Sequence, residues 1–349
     1  MKLLLGGSPC THWSIARTRN RETVPSGEGW EMFLNYLIAR EKFSPDYWLY
    51  ENNKSMSAAI WKQITAELGV EPNLINSALV SGQSRWRLYW TNIPGVEQPE
   101  DKGILLMDIL ESGMVCKEKA YALGSTYGKG GGGYDPSRQS SRETRIAEPV
   151  RIGTIESNAK NTDFDSQQYR VYSPYGKSVT LCGQGGGMGA KTGFYAVPAD
   201  GTTQSAYEVR DGQIAIKGQR YPTNLADGLY IIRKLTVTEC KRLQTVPEDY
   251  IFPVSDTQAY KMLGNGWTVD VIAHILSYCP GIRTAPLEVL SMYDGMSCGH
   301  LALDRLGANI QHYYATEIDK YAIKTTQHNY PDTIQLGDAF QVRGAGWKL

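Results

Sequence analysis

Residues 286–324 read PLEVLSMYDGMSCGHLALDRLGANIQHYYATEIDKYAIK, and this stretch decides the fold. An apolar run ends at Asp294, a glycine turn follows, and a helical pattern then runs to Gly307. A second apolar run leads to an acidic residue, Glu317, and into another helical pattern. Strand, glycine turn, helix, strand and acid in this order indicate a nucleotide-binding βαβ unit of a parallel sheet.

The turn of this unit favours a cofactor without a pyrophosphate. Gly295 and Gly299 do not complete the G-x-G-x-x-G pattern, because Ser297 and Cys298 occupy its centre. A nicotinamide dehydrogenase is therefore disfavoured. The acid that ends the second strand suits ribose hydroxyls, and Asp338 ends the next strand as a further candidate contact. For this segment taken alone, a structural crossover without a ligand is the alternative.

Strand and helix patterns also alternate in the rest of the chain, as is typical of a doubly wound α/β sheet. The composition differs between residues 113 and 231, where Gly, Ser, Tyr and Gln are frequent and basic residues slightly outnumber acidic ones. Short alternating runs at 169–173 and 193–197 predict β-structure there. Elsewhere the predicted strands are 2–5, 47–51 and 87–94, and the predicted helices are 28–41, 57–68, 237–244 and 258–279.

Bulk composition narrows the classes of protein. The 36 Lys+Arg balance the 36 Asp+Glu, so the total charge gives no sign of nucleic-acid binding, although a basic cleft is compatible with it. Six scattered cysteines without a CxxC pair suit a reducing compartment and predict no metal site. No run approaches the roughly 20 apolar residues of a membrane span. We expect a cytoplasmic protein without a membrane partner.

The residues Gly6-Gly7-Ser8-Pro9-Cys10 stand where the first predicted strand leaves the sheet. A thiol at that place lies at the carboxyl edge, where open α/β sheets bind ligands. A lone cysteine is more often a small core residue than a nucleophile. Its neighbours must therefore decide whether Cys10 is reactive.

Six segments together resemble the DNA cytosine-C5 methyltransferases. GGSPC (6–10), ENN (51–53) and QSRWR (83–87) look like the Pro-Cys, Glu-Asn and Gln-x-Arg-x-Arg motifs of that family. RKLTVTECKRLQ (233–244) and YKMLGNGWTV (260–269) resemble two later motifs, and SMYDGMSCGHLALDRLG (291–307) resembles the cofactor motif. The resemblance covers nearly the whole chain except 113–231. The chain departs from the family in its motif order, in Thr11, where many bacterial members have Gln, and in Asn53, where Val is common.

The resemblance implies a Rossmann-like, S-adenosylmethionine-dependent methyltransferase sheet with a smaller target-recognition domain. Because the cofactor motif follows all the others, we interpret the fold as circularly permuted. The permutation predicts that the N- and C-termini lie near one another at one edge of the sheet. The implied divisions are a catalytic half (1–112), a target-recognition domain (113–231), the later motifs (232–285) and a cofactor-binding half (286–349).

The resemblance also implies roles for single residues. Cys10 would attack C6 of a flipped-out cytosine, Glu51 would bind N3 and the exocyclic amine, and Pro9 would offer its carbonyl to the base. Arg85 and Arg87 would favour the thiolate and hold the base and the Glu51 carboxylate. The implied contacts with the cofactor are Tyr293, Asp294, Gly295, Met296 and Ser297 for its methionine part, Glu317 for ribose, Asp338 for the adenine amine, and Asn265, Gly266 and Trp267 as residues that close the pocket. Trp267 as core packing is an equal alternative.

The expected partner is double-stranded DNA, bound by a monomer in a bacterial or phage-infected cell. Arg17, Arg19 and Arg21 of the stretch 11–29 and Gln83 are the candidate DNA contacts, with a solvated loop as the alternative for the arginines. An RNA cytosine methyltransferase is the nearest alternative function, and a catalytically silent DNA-binding relative is another. For 113–231, the alternative to base readout is a lobe that only covers the site.

Overall fold

The protein is described here by a computed structural model. It describes residues 1–14, 20–111 and 235–349 and, in the segment between, residues 151–154, 170–172, 178, 194–198, 206–216, 219–222 and 225–233. Two of the predicted DNA contacts, Arg17 and Arg19, lie outside the described residues, and so does most of 113–231.

The first part of the chain alternates strands and helices, as its apolar pattern predicts. Its elements are β1 (Lys2–Gly6), α1 (Glu28–Phe43), β2 (Tyr47–Asn53), α2 (Ala58–Leu68), β3 (Asn73–Asn76) and β4 (Trp86–Thr91). The bounds of α2 follow from its end residues. The Ser57 hydroxyl accepts a hydrogen bond from the Ile60 amide at the first turn, and Gly69 ends the helix in a left-handed conformation.

The middle of the chain contributes a second, mainly antiparallel sheet. Its strands are β5 (Arg151–Thr154), β6 (Arg170–Tyr172), β7 (Phe194–Pro198), β8 (Ala206–Arg210), β9 (Gln213–Ile216), β10 (Gln219–Pro222) and β11 (Gly228–Arg233). They pair in the order β10-β9-β8-β11-β7-β6-β5, with β6 and β7 parallel. The β-structure predicted at 169–173 and 193–197 is confirmed by β6 and β7.

The last part of the chain returns to alternating strands and helices. Its elements are α3 (Val237–Leu243), α4 (Asp256–Asn265), α5 (Val269–Ser277), β12 (Pro286–Met292), α6 (Cys298–Leu306), β13 (Asn309–Thr316), α7 (Lys320–Asn329) and β14 (Ile334–Gly337). The sequence predicts continuous helical patterning over 258–279, but the helix breaks where Gly266 is extended (φ −67°, ψ 167°). Residues 266–268, between α4 and α5, are therefore not helical and can contribute to a site.

The first sheet is doubly wound, which confirms the predicted fold class. Its order is β14-β13-β12-β1-β2-β4-β3. The strands from β14 to β2 are parallel, and β4 is antiparallel to both of its neighbours. From β12 the chain continues to β13 and β14 on one side of the sheet, and from β1 it continues to β2, β3 and β4 on the other side. The point between these two central strands is thus the topological switch point, where open α/β sheets bind ligands at the carboxyl ends of their strands.

The chain ends meet at one helix and not at one edge of the sheet. Because β1 is the central strand, the expectation that the termini lie at a sheet edge is wrong. Lys2 donates to the carbonyl of Phe43, and Lys42 donates to the carbonyls of Val342 and Gly344. Both ends of the chain therefore contact the last turn of α1.

Hydrophobic cores cover both faces of this sheet. Along β1 the side chains of Leu3 and Leu5 pack into one core, with α4, α5 and α6, whereas Leu4 packs into the other, with α1 and α2. This alternation follows from the two-residue period of a strand. Within the described ranges, no helix is long and apolar enough to cross a membrane.

Candidate active site

A cavity of about 400 Å³ opens at the switch point between β12 and β1. The residues that follow β1, β2, β12, β13 and β14 line it, together with residues of the α4–α5 break. Among the sequence-predicted residues that line it are Pro9, Glu51, Arg85, Arg87, Asn265, Gly266, Trp267, Tyr293, Asp294, Gly295, Met296, Glu317 and Asp338. The fold thus brings together residues from both ends of the chain.

The turn after β12 forms the floor of the cavity. Gly295 has φ +59°, and Tyr293 and Ser297 also have positive φ values, so this turn is tightly wound. Ser297 is fully buried and bonds Asp294 and Thr326 instead of lining the cavity. Ser297 therefore shapes the turn to which the other predicted methionine contacts belong.

Asp294 is a buried acid at this turn. Its Oδ1 accepts a hydrogen bond of 2.8 Å from the Tyr313 hydroxyl, and its Oδ2 accepts one from Ser297. Burial raises the pKa of the Asp294 carboxyl, while the hydrogen bonds from Ser297, Ser291 and Tyr313 oppose the shift. An acid held in this way can accept a hydrogen bond from an ammonium group in the cavity.

Two acids, Glu317 and Asp338, line the end of the cavity that lies beyond β13 and β14. Glu317 Oε2 accepts from the Gly295 amide, and Oε1 accepts from the amides of Ile318 and Asp319, all at 2.8 Å. These bonds fix the carboxylate at the end of β13, where it still faces the cavity. Asp338, which is exposed, lines the same end and accepts from the Phe340 amide at 2.9 Å.

Two apolar side chains beside these acids were not found from the sequence. Ile318 is 73% exposed and Phe340 is 37% exposed, and both line the cavity. Exposed apolar groups next to carboxylates suit a planar heterocycle with polar edges. The sequence signal for these two residues is weak. Ile318 comes directly after Glu317, and Phe340 comes two residues after Asp338, and both acids are predicted polar contacts.

Cys10 begins a single helical turn, Cys10–His12, directly after β1. Its side chain lies outside the described part of the structure. Ser8, Pro9 and Thr11 on either side of it line the cavity. His12 faces Glu22 at 3.3 Å and Glu28 at 3.7 Å.

Glu51, in β2, is an acid that lines the same cavity. It is 8% exposed, and its two oxygens accept from different residues. Oε1 lies 3.0 Å from Arg87 Nε, and Oε2 lies 2.9 Å from Trp267 Nε1. A Cβ atom added to Gly7 would lie 3.0 Å from Glu51 Oε2 and 3.2 Å from the Trp267 ring, so only glycine permits this close packing.

The two arginines of the Gln-x-Arg-x-Arg segment have different partners. Arg87 pairs with Glu51, as expected. Arg85 is 3% exposed and donates to the carbonyls of Gly264 at 3.1 Å and Gly266 at 3.0 Å. The forked guanidinium of Arg85 therefore anchors the end of α4, while its side chain still lines the cavity.

Lys261 and Asp319 link the two walls of the cavity. Lys261 Nζ lies 2.6 Å from Asp319 Oδ2, and both residues line the cavity. Burial alone would raise the pKa of Asp319, but the hydrogen bonds from Lys261 and from backbone amides lower it overall. This pair, which the sequence did not indicate, connects α4 to the loop before α7.

Gln83 and Arg21, the other two predicted DNA contacts, form hydrogen bonds within the protein. Gln83 is fully buried and donates to the Leu243 carbonyl at 2.7 Å and to Gln244 Oε1 at 2.8 Å. Gln83 thus joins the β3–β4 connection to α3 and is not presented to DNA in this structure. Arg21 is half-buried and donates to the carbonyls of Trp13 and Ser55. Arg21 therefore stabilises the segment next to the Cys10 turn, through the Trp13 carbonyl.

Cys298 packs at the start of α6 and also lines the cavity. It is 3% exposed, and burial raises the pKa of its thiol to about 12. A thiol that keeps its proton at neutral pH is a poor nucleophile. In the described part of the chain, no group of three or more His, Cys, Asp and Glu residues could hold a metal ion.

Comparison with known sequences gives a consistent family. The model of the family described as "C-5 cytosine-specific DNA methylase" matches residues 1–99 and 125–280, more than half of the chain. The type II methyltransferase M.SsoII of Shigella sonnei is 60% identical over 40 residues, 12% of this chain and 11% of that protein. The type II methyltransferase M.HhaI of Haemophilus parahaemolyticus is 32% identical over 133 residues, 38% of this chain and 29% of that protein. The alignments span less than a third of these relatives' lengths.

Solved structures give broader but more distant matches. The Entamoeba histolytica methyltransferase EhMeth has a TM-score of 0.45 at 14% identity, over 79% of this chain and 76% of that one. The S. pombe Dnmt2 methyltransferase has a TM-score of 0.41 at 15% identity, over 79% of this chain and 76% of that one.

Proposed function

Because this chain belongs to the C-5 cytosine-specific DNA methylase family, we propose that it methylates C5 of a cytosine flipped out of a specific double-stranded DNA sequence. S-adenosylmethionine is the methyl donor of this family. The observation that carries the proposal is the position of Glu51. It holds Arg87 and Trp267 at one wall of the cavity whose other wall consists of the predicted cofactor residues.

The residues present fit the cofactor. Glu317 and Asp338 offer carboxylates for ribose hydroxyls and an adenine amine, and Ile318 and Phe340 offer apolar faces for the purine between them. Asp294 and the turn after β12 would hold the methionine part, with Asn265 and Gly266 closing the cavity. S-adenosylmethionine supplies an electrophilic methyl group when bound.

Cys10 would activate the base. C5 of cytosine is a weak nucleophile, so we propose that the Cys10 thiolate first forms a bond to C6 and moves the C5–C6 electron pair toward C5. C5 then takes the methyl group, whose bond to the sulfonium sulfur breaks so that the sulfur keeps the electron pair and leaves as a neutral thioether. A base removes the proton from C5, the electron pair reforms the C5–C6 double bond, and the thiolate leaves. Arg87 supplies positive charge near the Cys10 turn that favours the thiolate.

Glu51 would recognise the cytosine and stabilise the activated ring. A carboxylate that faces N3 and the exocyclic amine can stabilise a proton on N3 as negative charge develops in the ring. Arg87 and Trp267 each donate to one Glu51 oxygen, so the carboxylate plane is fixed before the base arrives. The remaining lone pairs of its oxygens are free to accept from the base.

The DNA partner follows from the reaction and from the second sheet. C5 is not accessible in a stacked duplex, so the base must leave the helix. We assign target recognition to residues 113–231, which contain most of the second sheet, and keep 1–112, 232–285 and 286–349 as the three parts of the catalytic domain. A monomer in the cytoplasm is sufficient for this activity.

Circular permutation would explain the motif order. The family match ends at residue 280, before the cofactor-binding half, and both chain ends contact the last turn of α1. A chain opened within 280–285, with residue 349 joined to residue 1 by a short Gly/Ser linker, should keep the parent's thermal midpoint and S-adenosylmethionine affinity. A rearranged chain that does not fold would contradict the permutation.

The activity is tested by bisulfite sequencing of duplex DNA treated with the protein and S-adenosylmethionine. We expect protected cytosines within one recurring sequence, and none with Cys10→Ser. Cys279→Ser, at a buried free cysteine that is not among the residues lining the cavity, is the matched control and should keep activity. Methyl transfer to tRNA but not to duplex DNA would overturn the proposed substrate, and full activity of Cys10→Ser would overturn the nucleophile.

A further inference from the structure

We infer that Tyr50 is a positioning residue whose hydroxyl, through Ser8, fixes the segment that carries Cys10. The inference rests on the proposed function, because it concerns the step that Cys10 performs. The hydroxyl oxygens of Tyr50 and Ser8 lie 2.7 Å apart, and both side chains are buried. Ser8 is two residues before Cys10, at the point where the chain leaves β1.

The Tyr50 ring has almost no freedom to move. It is fully buried, and the ring centroids of Phe33, Tyr36 and Trp90 lie 5.2, 4.9 and 5.8 Å from its own. Aromatic clusters of this kind pack with defined geometry. Burial also raises the pKa of Tyr50, so the hydroxyl keeps its proton at neutral pH. The ring therefore places one hydroxyl group at a fixed point behind Ser8.

Asn52 holds Ser8 from the same strand. Its Nδ2 donates to the Ser8 carbonyl at 3.1 Å and lies 3.4 Å from the Ser8 hydroxyl. Both the main chain and the side chain of Ser8 are thus bonded to β2. The ring of Pro9 fixes the next φ angle near −65°. Few rotatable bonds remain between the held Ser8 carbonyl and Cys10.

The chemical consequence concerns the attack of Cys10 on the base. A nucleophile must be held within about 0.5 Å of its productive position, and a displacement of about 1 Å can lower a rate on the order of 100-fold. Removing the Tyr50 hydroxyl leaves the Asn52 bond to the Ser8 carbonyl in place. We therefore expect a partial effect, about a tenfold slower attack, with unchanged binding of DNA and cofactor.

Tyr36 provides a matched control in the same core. Its ring is fully buried and packs against Tyr50, and among the described residues its hydroxyl has no hydrogen-bond partner. Tyr36→Phe removes the same atom type from the same cluster without touching Ser8. The pair Tyr50→Phe and Tyr36→Phe therefore separates the bond to Ser8 from a general change in the core.

The experiment measures the covalent complex on duplex DNA with 5-fluorocytosine at the target position found by bisulfite sequencing. For the parent, Tyr50→Phe and Tyr36→Phe, we would determine the single-turnover rate of complex formation, the Kd for this DNA and for S-adenosylmethionine, and the thermal midpoint. We expect Tyr50→Phe to form the complex about tenfold more slowly at unchanged Kd values, and Tyr36→Phe to match the parent rate.

Ser8→Ala removes the same hydrogen bond from its other end. It should slow the complex to a similar extent, and the double variant Ser8→Ala/Tyr50→Phe should be no slower than the slower single variant. If Tyr50→Phe does not fold, the rate of complex formation by Ser8→Ala tests the inference. An active parent together with a parent-like rate for either variant would overturn the inference alone. A parent that neither methylates DNA nor forms the complex would overturn the proposed function, and the inference with it.

Discussion

The Trp267 indole donates a hydrogen bond of 2.9 Å to Oε2 of Glu51, although 216 positions separate the two residues in the chain. Glu51 lies within β2, and Trp267 lies in the break between α4 and α5. This bond connects the proposed base-binding acid to the segment that closes the cofactor cavity. It gives the Trp267 indole a polar partner in the site, while the ring also packs against the core.

Trp267→Phe should slow methyl transfer. The substitution keeps an aromatic ring but removes the donor, so one Glu51 oxygen loses its partner and the carboxylate can rotate away from the base. A hydrogen bond to a charged group contributes roughly 1.5–3 kcal/mol, which corresponds to a rate at least about tenfold lower in single turnover. Trp48→Phe is the control. Trp48 is buried beneath the Arg40 guanidinium and is not among the residues that line the cavity, so this variant should lower the thermal midpoint without changing the rate.

Substituting the two arginines should have separable effects. Arg87→Lys changes the partner of Glu51, so it should lower the single-turnover rate and leave the Kd for S-adenosylmethionine near the parent value. Arg85→Lys replaces a forked donor that binds two carbonyls at the end of α4, and a single ammonium cannot reproduce this geometry. We expect Arg85→Lys to raise the Kd for S-adenosylmethionine about tenfold by calorimetry. Equal effects of both variants on rate and Kd would contradict the division of roles.

The sequence predicts the order of strands and helices well because the apolar periods are strong and glycines mark the turns. The βαβ unit over 286–324, the left-handed end of α6 at Gly307 and the fold class all follow from local patterns. The break at Gly266 does not, because the apolar positions continue on both sides of it. The extended conformation of that residue is set by contacts that the pattern does not contain.

The candidate site is predicted only in part, for a physical reason. Motifs identify residue types such as Glu51 and Arg87, but which atoms bond depends on strand register and on side-chain direction. Gln83 and Arg85 have the residue types expected for DNA and base contacts, yet both are buried and bonded to the protein. The Tyr50–Ser8 bond and the Lys261–Asp319 pair join residues distant in the chain, and no local pattern indicates them.

Lys261→Met should speed the release of S-adenosylmethionine and its product. The Lys261–Asp319 pair spans the cavity from α4 to the loop before α7, so removing the ammonium removes one link between the walls. The lysine side chain is 45% exposed, and ion pairs of this kind contribute roughly 0.2–1 kcal/mol, so the dissociation rate should rise by about 1.4- to fivefold. Stopped-flow measurements at low salt and at about 1 M salt should converge for the parent and the variant, because salt screens the pair. A difference that persists at high salt would exclude the ion pair as the cause.

Asp294→Asn should change how the free energy of unfolding depends on pH. The pKa of Asp294 is raised by burial, so the folded protein holds this proton more tightly than the unfolded chain does, whose carboxyl has a pKa of about 3.9. The stabilisation from Asp294 is then complete below that pH and is lost as the pH rises through the higher folded value. In urea unfolding without cofactor, the free energy of the parent minus that of Asp294→Asn should fall as the pH rises above about 4, and then level off. Ser297→Ala removes one of the hydrogen bonds that oppose the shift, so the corresponding fall should begin at the same pH but continue to higher pH. A difference that grows with pH would mean that the folded protein favours the ionised acid, contrary to this interpretation.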